Sequence, residues 1–373
     1  MFTFYMQHAY NPLVTLQSYA NPRLGCRARA RRMASQDPGG ELVKRVWVLL
    51  AAAVLAGTAL AQKPRVVIPT GSTGGVFFFY GQAIAKLLTE TGVADSTAQQ
   101  TGGSYDNLLL LRDRTDPGSN TYYCALATTD SALVTYTGQE PRFAQKKADM
   151  QRIMFYMYPS LIHIVTTEQS GIKVLQDLKG KRVSTGQPGS STENLALLVL
   201  QGAGVKPESF SKRERLPAAE SAKALSEGTI DAYFWVGGVP TASVVEVGQS
   251  LARTGKKIRL IPVTKDSTTA QLLLKRFPGI VSVGTVPASV YGTAGNVPAL
   301  YTGNVFLCPA SMPDELATAI MKAVFGNLNT LVTATAAARD TTLKNTADLY
   351  AAKTVIPFHP GAVKYLREAG AIK

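Results

Sequence analysis

The chain has 373 residues, of which 46% are hydrophobic and 17% charged, and its formal net charge is +14. This length and apolar content exclude a short peptide or a disordered chain and predict one large or two medium domains with a buried core. The basic residues are scattered rather than gathered into a stripe with aromatic side chains, so we expect no nucleic-acid partner.

Residues 44–61 have the pattern of a secretory signal peptide. Two basic residues precede the apolar run 46–60, and small side chains at its end predict cleavage between Ala61 and Gln62. The run is shorter and richer in alanine than a membrane-spanning helix of about 20 residues, which favours cleavage over an uncleaved anchor. The pattern therefore predicts an exported protein of the periplasm or another extracytoplasmic location.

Residues 1–43 precede this signal, contain five arginines and show little apolar periodicity. Because an export signal normally starts the chain, we hypothesise that translation begins at Val43 and that 1–43 are a non-native upstream extension. The alternative is a disordered basic arm.

From residue 65 onward, short apolar strands alternate with amphipathic helices, which is the pattern of an α/β protein. The predicted strands are 65–69, 97–101, 123–127, 153–158, 161–166, 182–185, 230–236 and 258–262. The predicted helices are 76–91, 105–112, 130–136, 174–178, 192–202, 218–227, 241–247, 314–332 and 362–369.

Polar or glycine-rich loops join several of these strands to the next helix. Segments 70–75, 101–104, 128–131 and 185–192 each follow a strand and precede a helix start. Glycine lets the backbone approach a ligand, and helix N-termini offer unpaired N–H groups with partial positive charge. Because ligands of open α/β sheets bind beyond the carboxyl ends of the strands, we expect these four loops to converge on one cleft.

Aromatic side chains flank these loops. They are Phe77, Phe78, Phe79, Tyr80, Tyr158, Phe234, Trp235 and Tyr291. Any one of them more often belongs to a core than to a ligand site, and we select Tyr80, Trp235 and Tyr291 as candidates for the wall of the site. Gly238 lies in a segment that follows a strand and turns through glycines.

Catalytic and metal-binding patterns do not occur in this sequence. His163 and His359 lie in apolar surroundings and are expected to be structural, and no His, Cys and carboxylate spacing predicts a metal site. We therefore expect no enzyme activity, no cofactor and no metal. Cys124 and Cys308 lie in separate apolar segments, which favours two buried thiols over a disulfide.

The ordered motifs resemble the TAXI family, the solute-binding subunits of TRAP transporters. The matching segments cover nearly the whole chain after the signal and are 68–76, 101–108, 130–138, 170–172, 177–183, 186–190, 228–232, 291–292 and 359–362. Segment 177–183 is shared by many type II binding proteins, whereas the opening segment and the ordered set are more specific.

The resemblance implies a two-lobed fold like that of type II periplasmic binding proteins, with a mainly parallel sheet flanked by helices in each lobe and the ligand cleft between them. Lobe 1 would comprise 62–160 and 304–373, and lobe 2 would comprise 161–303. The chain would cross between the lobes near 158–163 and 300–306. Family ligands include glutamate and related acids.

The resemblance also implies a set of cleft residues. Together with the aromatic candidates and Gly238, the predicted ligand site comprises Ser72, Thr73, Gly74, Tyr80, Thr101, Gly102, Asp130, Gln187, Gly189, Ser190, Ser191, Thr192, Trp235, Gly238 and Tyr291. Ser191 stands where the family often has glycine. Asp130 has two equally supported roles, pairing with a ligand amine or capping a helix.

These features predict a transport receptor that binds a small carboxylate or amino acid and delivers it to TRAP membrane permease subunits. No arginine lies in the predicted loops, so helix N-termini and hydroxyls would hold the acid without a charged clamp. We expect a monomer. A receptor for an ABC importer or a sensor protein, and an exported enzyme on the same fold, are the alternatives.

Overall fold

The structure is a computed structural model that describes residues 62–373, which form one compact unit. The predicted upstream extension and signal peptide lie outside the described residues. Among the residues described, no helix is long and apolar enough to cross a membrane.

A three-stranded parallel sheet begins the described chain. Strand β1 (Arg65–Pro69) lies between β2 (Asp95–Gln99) and β3 (Thr121–Tyr123). Helix α1 (Val76–Glu90) connects β1 to β2, and helix α2 (Ser104–Arg114) connects β2 to β3. Such crossover helices are what parallel neighbouring strands require. The carboxyl ends of β1 and β2 therefore point to the same edge, where both helices begin.

An eight-stranded mixed sheet forms the rest of the framework. Its strand order is β10-β11-β5-β8-β6-β7, with β4 paired to β11 and β9 paired to β5. The strands are β4 (Ala125–Thr128), β5 (Gln151–Thr167), β6 (Arg182–Ser184), β7 (Lys212–Glu214), β8 (Ala232–Gly238), β9 (Ile258–Leu260), β10 (Val281–Val286) and β11 (Val297–Pro309). The predicted α/β class, with helices flanking the sheets, is confirmed.

The two longest strands, β5 and β11, explain why this sheet is mixed rather than mainly parallel. They pair antiparallel with each other, and β11 pairs with β10 through its first half and with β4 through its second. Only β6 runs parallel to its neighbours β7 and β8. The predicted crossings near 158–163 and 300–306 fall within β5 and β11, and the lobe boundaries stay a prediction.

The remaining helices pack on these sheets. They are α3 (Thr129–Thr137), α4 (Ser191–Gly202), α5 (Ala218–Ser226), α6 (Ala242–Arg253), α7 (Thr268–Arg276), α8 (Ala288–Tyr291), α9 (Asp314–Gly326), α10 (Leu328–Ala334), α11 (Leu343–Ala351) and α12 (Pro360–Glu368). The predicted helix 314–332 is two helices, because Asn327 between them leaves helical geometry with φ −136° and ψ 37°.

Cys124 and Cys308 form a buried disulfide, so the expectation of two separate thiols is wrong. Cys124 lies between β3 and β4, and the antiparallel register of β4 and β11 places Ala125 opposite Leu307. That register brings the two cysteines to a Cα–Cα distance of 4.3 Å. The disulfide thus joins strand β11, at Cys308, to the segment between the two sheets, at Cys124.

Candidate functional site

A small cavity lies where the loops after β1, β2 and β6 meet strand β8 and the middle of β5. Its volume is about 30 Å³, which is room for about one water molecule. It is lined by Gly71, Ser72, Gly75, Val76, Phe77, Gly102, Gly103, Ser104, Tyr158, Ser160, Gln187, Ser190, Ser191, Thr192, Trp235, Val236 and Gly237.

Three helices begin at this cavity. Gly75 precedes α1, Gly103 precedes α2 and Ser190 precedes α4, and all three residues line the wall. The first N–H groups of a helix have no partner within it, and the N-terminus carries about half a positive charge. The cavity therefore lies against three positive helix ends, and the N–H groups of Tyr105 and Asp106 in the first turn of α2 donate to the carbonyl of Gly189.

Glycine at position 103 allows the second and third helix starts to approach each other. Gly103 has φ +127°, which side chains rarely adopt, and a Cβ atom there would lie 3.3 Å from Cα of Ser190. The predicted convergence of polar loops is therefore found for 70–75, 101–104 and 185–192.

Hydrogen bonds join the loops on opposite sides of the cavity. Gln187 Nε2 donates to the carbonyl of Gly102 at 2.6 Å, and the N–H of Tyr105 donates to the carbonyl of Gly189 at 3.1 Å. The side chain of Asn194 also bonds to the hydroxyl of Tyr105. These contacts hold the cavity closed at its present small volume.

Three buried hydroxyl groups in the wall accept hydrogen bonds from the protein. Ser104 Oγ accepts from the N–H of Thr128 at 3.1 Å, and Ser160 Oγ accepts from Asn304 Nδ2 at 2.7 Å. Thr192 Oγ1 accepts from the N–H of Val236 at 3.1 Å. Within residues 62–373 no acceptor is found for the protons of these three hydroxyls. They are available as donors to a bound molecule.

Tyr158 also lines the cavity. It is 1% exposed, and its hydroxyl has no hydrogen-bond partner among the described residues. Burial raises the pKa of Tyr158 well above its usual range, so the hydroxyl keeps its proton. A buried polar group without a partner is uncommon and costly, and the residue that carries this one lines the cavity.

Charged side chains do not line this cavity in the part of the chain that the structure describes. Nor do residues 62–373 bring His, Cys, Asp and Glu together in a group that could hold a metal ion. The wall is thus rich in hydrogen-bond donors and uncharged.

The structure places part of the predicted site in this wall. The lining residues that the sequence identified are Ser72, Gly102, Gln187, Ser190, Ser191, Thr192 and Trp235. The Ser190 hydroxyl is already used, because it accepts from the N–H of Glu193 at 3.2 Å and donates to the carbonyl of Gln187 at 2.6 Å. Ser190 therefore caps α4.

Other predicted residues lie beside the cavity without lining it. Thr73 is exposed, Thr101 Oγ1 donates to Asn107 Oδ1 at 2.5 Å, and the carbonyl of Gly189 accepts from α2. Gly74 lies near Ser243, and Gly238 packs against the ring of Tyr158. These residues shape the loops around the wall.

Tyr80 and Tyr291 are core residues in this structure. The Tyr80 hydroxyl is 2.7 Å from the Thr341 hydroxyl, within a buried apolar cluster. The Tyr291 hydroxyl accepts from the N–H of Thr241 and lies 2.8 Å from His163 Nε2. Burial lowers the pKa of His163 to about 4, in keeping with its predicted structural role.

Asp130 is fully buried behind the wall. Its Oδ1 accepts from Thr302 Oγ1 at 2.9 Å, and Ser131 donates to its other oxygen at 3.4 Å. Burial raises the pKa of Asp130, and these hydrogen bonds partly oppose that shift. Because Asp130 does not line the cavity, its helix start is the one predicted loop that does not converge there.

The predicted set of ligand-binding residues did not include the remaining wall residues, although Phe77 and Tyr158 are among the aromatic side chains that flank the loops and several others lie within the predicted loops. The remaining wall residues are Gly71, Gly75, Val76, Phe77, Gly103, Ser104, Tyr158, Ser160, Val236 and Gly237. Ser104 carried a detectable signal, since it is the first residue of a helix after two glycines. Tyr158 and Ser160 lie within a strand around Pro159, which is an unusual residue in a central strand.

Several solved structures are distantly similar to this chain. The binding protein component of an ABC phosphonate transporter from Pseudomonas aeruginosa is 13% identical, with a TM-score of 0.47, covering 83% of this chain and 96% of that one. MatC from Rhodopseudomonas palustris with bound malate is 14% identical, with a TM-score of 0.47, covering 74% and 88%. The aliphatic sulphonate binding protein SsuA from Escherichia coli is 14% identical, with a TM-score of 0.38, covering 74% and 79%. These likenesses are too distant to identify a ligand for this chain.

A family model also matches this chain. It matches residues 68–370, which include every residue of the cavity wall. The chain belongs to the NMT1-like family.

Proposed function

We propose that this protein is an extracytoplasmic solute receptor that binds a small carboxylate in the cavity and delivers it to the membrane subunits of a TRAP-type transporter. The observation that carries the proposal is the convergence of three helix N-termini, three donor hydroxyls and Tyr158 on one small, uncharged cavity. Such a wall suits a monoanion, because oriented N–H groups stabilise negative charge.

A receptor rather than an enzyme is favoured by the chemistry of the wall. Among the residues described there, none is a His, Cys, Lys, Asp or Glu, and these residues most often act as nucleophile, acid or base. Tyr158 supplies a donor, and its raised pKa opposes a role as a base. The wall is therefore suited to binding a ligand and not to catalysing its conversion.

Ligand entry requires the loops to separate. The present volume of about 30 Å³ is far below the roughly 300–1,000 Å³ of ordinary small-molecule pockets. The bonds from Gln187 to Gly102 and from Tyr105 to Gly189 join loops of the two predicted lobes. Opening breaks these bonds, and closure around a ligand restores them, with β5 and β11 as the connecting strands.

The transporter type and location rest on the sequence. The resemblance to TAXI proteins favours a TRAP permease over an ABC importer or a sensor, and segment 44–61 favours export to the periplasm. Copurification of the receptor with its permease subunits, compared with ABC permease subunits as a control, tests this part of the proposal.

Binding itself is tested by calorimetric titration. The purified protein is unfolded and refolded to remove carried-over ligand, and small carboxylates are titrated into it. The proposal predicts saturable one-to-one binding of at least one carboxylate, with loss of affinity when Ser104 is changed to alanine. Catalytic turnover of the bound acid, or no binding across the carboxylates, would contradict the proposal.

A further inference from the structure

We infer that the ligand of this cavity is a monocarboxylate with an apolar or aromatic tail and without an ammonium group. This inference rests on the proposed function and narrows it, because family resemblance alone also admits amino acids such as glutamate. It follows from three features of the wall: its donors, the absence of a carboxylate among the described residues that line it, and its apolar side.

The first step concerns the acid group. The hydroxyls of Ser104, Ser160, Thr192 and Tyr158 have protons without an acceptor in the described chain, and the starts of α1 and α4 add N–H donors. A carboxylate accepts about four hydrogen bonds, so this set can satisfy it. A second negative charge would be buried without a cation beside it, which is strongly unfavourable. The wall therefore suits one carboxylate.

The second step concerns the ammonium group of an amino acid. An ammonium needs three acceptors, and it is repelled by positive helix ends. Asp130 lies behind the wall with Oδ1 bonded to Thr302. Asp106 accepts from the N–H of Gly102 at 3.1 Å and pairs with Arg142 at 3.5 Å, and it also does not line the cavity. The carboxylates of Asp130 and Asp106 are thus already bonded to other groups of the protein.

The third step concerns the tail. Val76, Phe77, Trp235 and Val236 form the apolar part of the wall, with Phe77 on α1 and Trp235 on β8. The Trp235 ring offers no free donor, because its Nε1 donates to Thr241 Oγ1 at 3.1 Å. A ligand tail that contacts these side chains gains by leaving water. Such a tail also bridges the two predicted lobes.

Matched pairs of ligands test this inference with the refolded full chain. The pairs are 3-phenylpropanoate and L-phenylalanine, 4-methylpentanoate and L-leucine, and pentanedioate and L-glutamate. Within each pair the carbon skeleton is the same, and only the amino acid has an ammonium group. Dissociation constants are measured by calorimetric titration, and 2-phenylethylamine is the control for the amine alone.

We expect 3-phenylpropanoate or 4-methylpentanoate to bind at least ten-fold more tightly than the amino acid of its pair. Pentanedioate should bind more weakly than either of these two monocarboxylates, and 2-phenylethylamine should not bind. An amino acid that binds as tightly as its partner overturns this inference and leaves the receptor proposal intact. Binding of pentanedioate alone overturns the apolar tail and leaves a carboxylate receptor. Absence of binding by all members overturns both.

Discussion

Tyr158 allows the sharpest prediction, because its hydroxyl has no partner in the described chain and the residue lines the cavity. Changing Tyr158 to phenylalanine removes this hydroxyl and keeps the ring, which packs 5.6 Å from the ring of Tyr80 between centroids. If the hydroxyl donates to a carboxylate, the bond contributes about 1.5–3 kcal/mol. The variant is therefore expected to bind 3-phenylpropanoate about 10- to 150-fold more weakly.

Tyr233 provides the matched control. Its hydroxyl is also buried without a partner, but it lies in a different apolar cluster and does not line the cavity. Changing Tyr233 to phenylalanine should leave the dissociation constant unchanged. Calorimetric titration of both variants and the parent protein makes the comparison.

The free energy of unfolding of the Tyr158 variant should rise although its ligand affinity falls. Removing a buried hydroxyl without a partner relieves a desolvation cost of about 1–3 kcal/mol. Denaturation with urea should therefore give a higher free energy of unfolding for the Tyr233 variant, and a smaller rise for the Tyr158 variant because a water in the adjoining cavity can satisfy its hydroxyl. Unchanged affinity in the Tyr158 variant, or an equal loss in the Tyr233 variant, would refute the reasoning.

Three further predictions concern the cap, the disulfide and the buried histidine. Changing Ser190 to alanine should lower the free energy of unfolding by about 1 kcal/mol, because the cap of α4 is lost. Ligand affinity should stay within about threefold, because the proton of the Ser190 hydroxyl is bound to the carbonyl of Gln187. A large loss of affinity in titration would make Ser190 a ligand donor instead. Changing Cys124 and Cys308 together to alanine should cost about 2–5 kcal/mol in urea denaturation, and free thiols found by mass spectrometry of the exported protein would contradict the bond. Burial lowers the pKa of His163 to about 4 in the folded state. The contribution of His163 to stability is therefore full above its unfolded pKa of about 6.5 and is lost as pH falls toward 4. The free energy of unfolding of a His163→Gln variant should fall less between pH 7 and pH 4.5 than that of the parent protein, and an equal fall in both would contradict this assignment.

The loop part of the site could be predicted from the sequence because its signals are local. A strand followed by glycine and serine and then by a helix marks a helix start near a sheet edge, and Ser72, Gly102 and Ser191 were found in this way. Asp130 has the same local pattern and lies behind the wall. The reason is long-range, since β4 leaves the first sheet and pairs with β11.

The strand part of the site could not be predicted in this way. Ser160 lines the cavity within β5, and Asn304 on β11 holds its hydroxyl. This arrangement depends on the pairing of two strands far apart in the sequence. The disulfide between Cys124 and Cys308 depends on the register of β11 as well, and its cysteines are 184 positions apart in the sequence. Apolar periodicity carries no information about either pairing.

The most direct test of the account is a crystal structure of the protein with bound 3-phenylpropanoate. We predict one ligand whose carboxylate oxygens lie within hydrogen-bond distance of Tyr158 Oη and of the first N–H groups of α1, α2 or α4, with the aromatic ring between Phe77 and Trp235. A carboxylate bound away from these helix starts, or paired with an arginine or lysine outside this wall, would contradict the account.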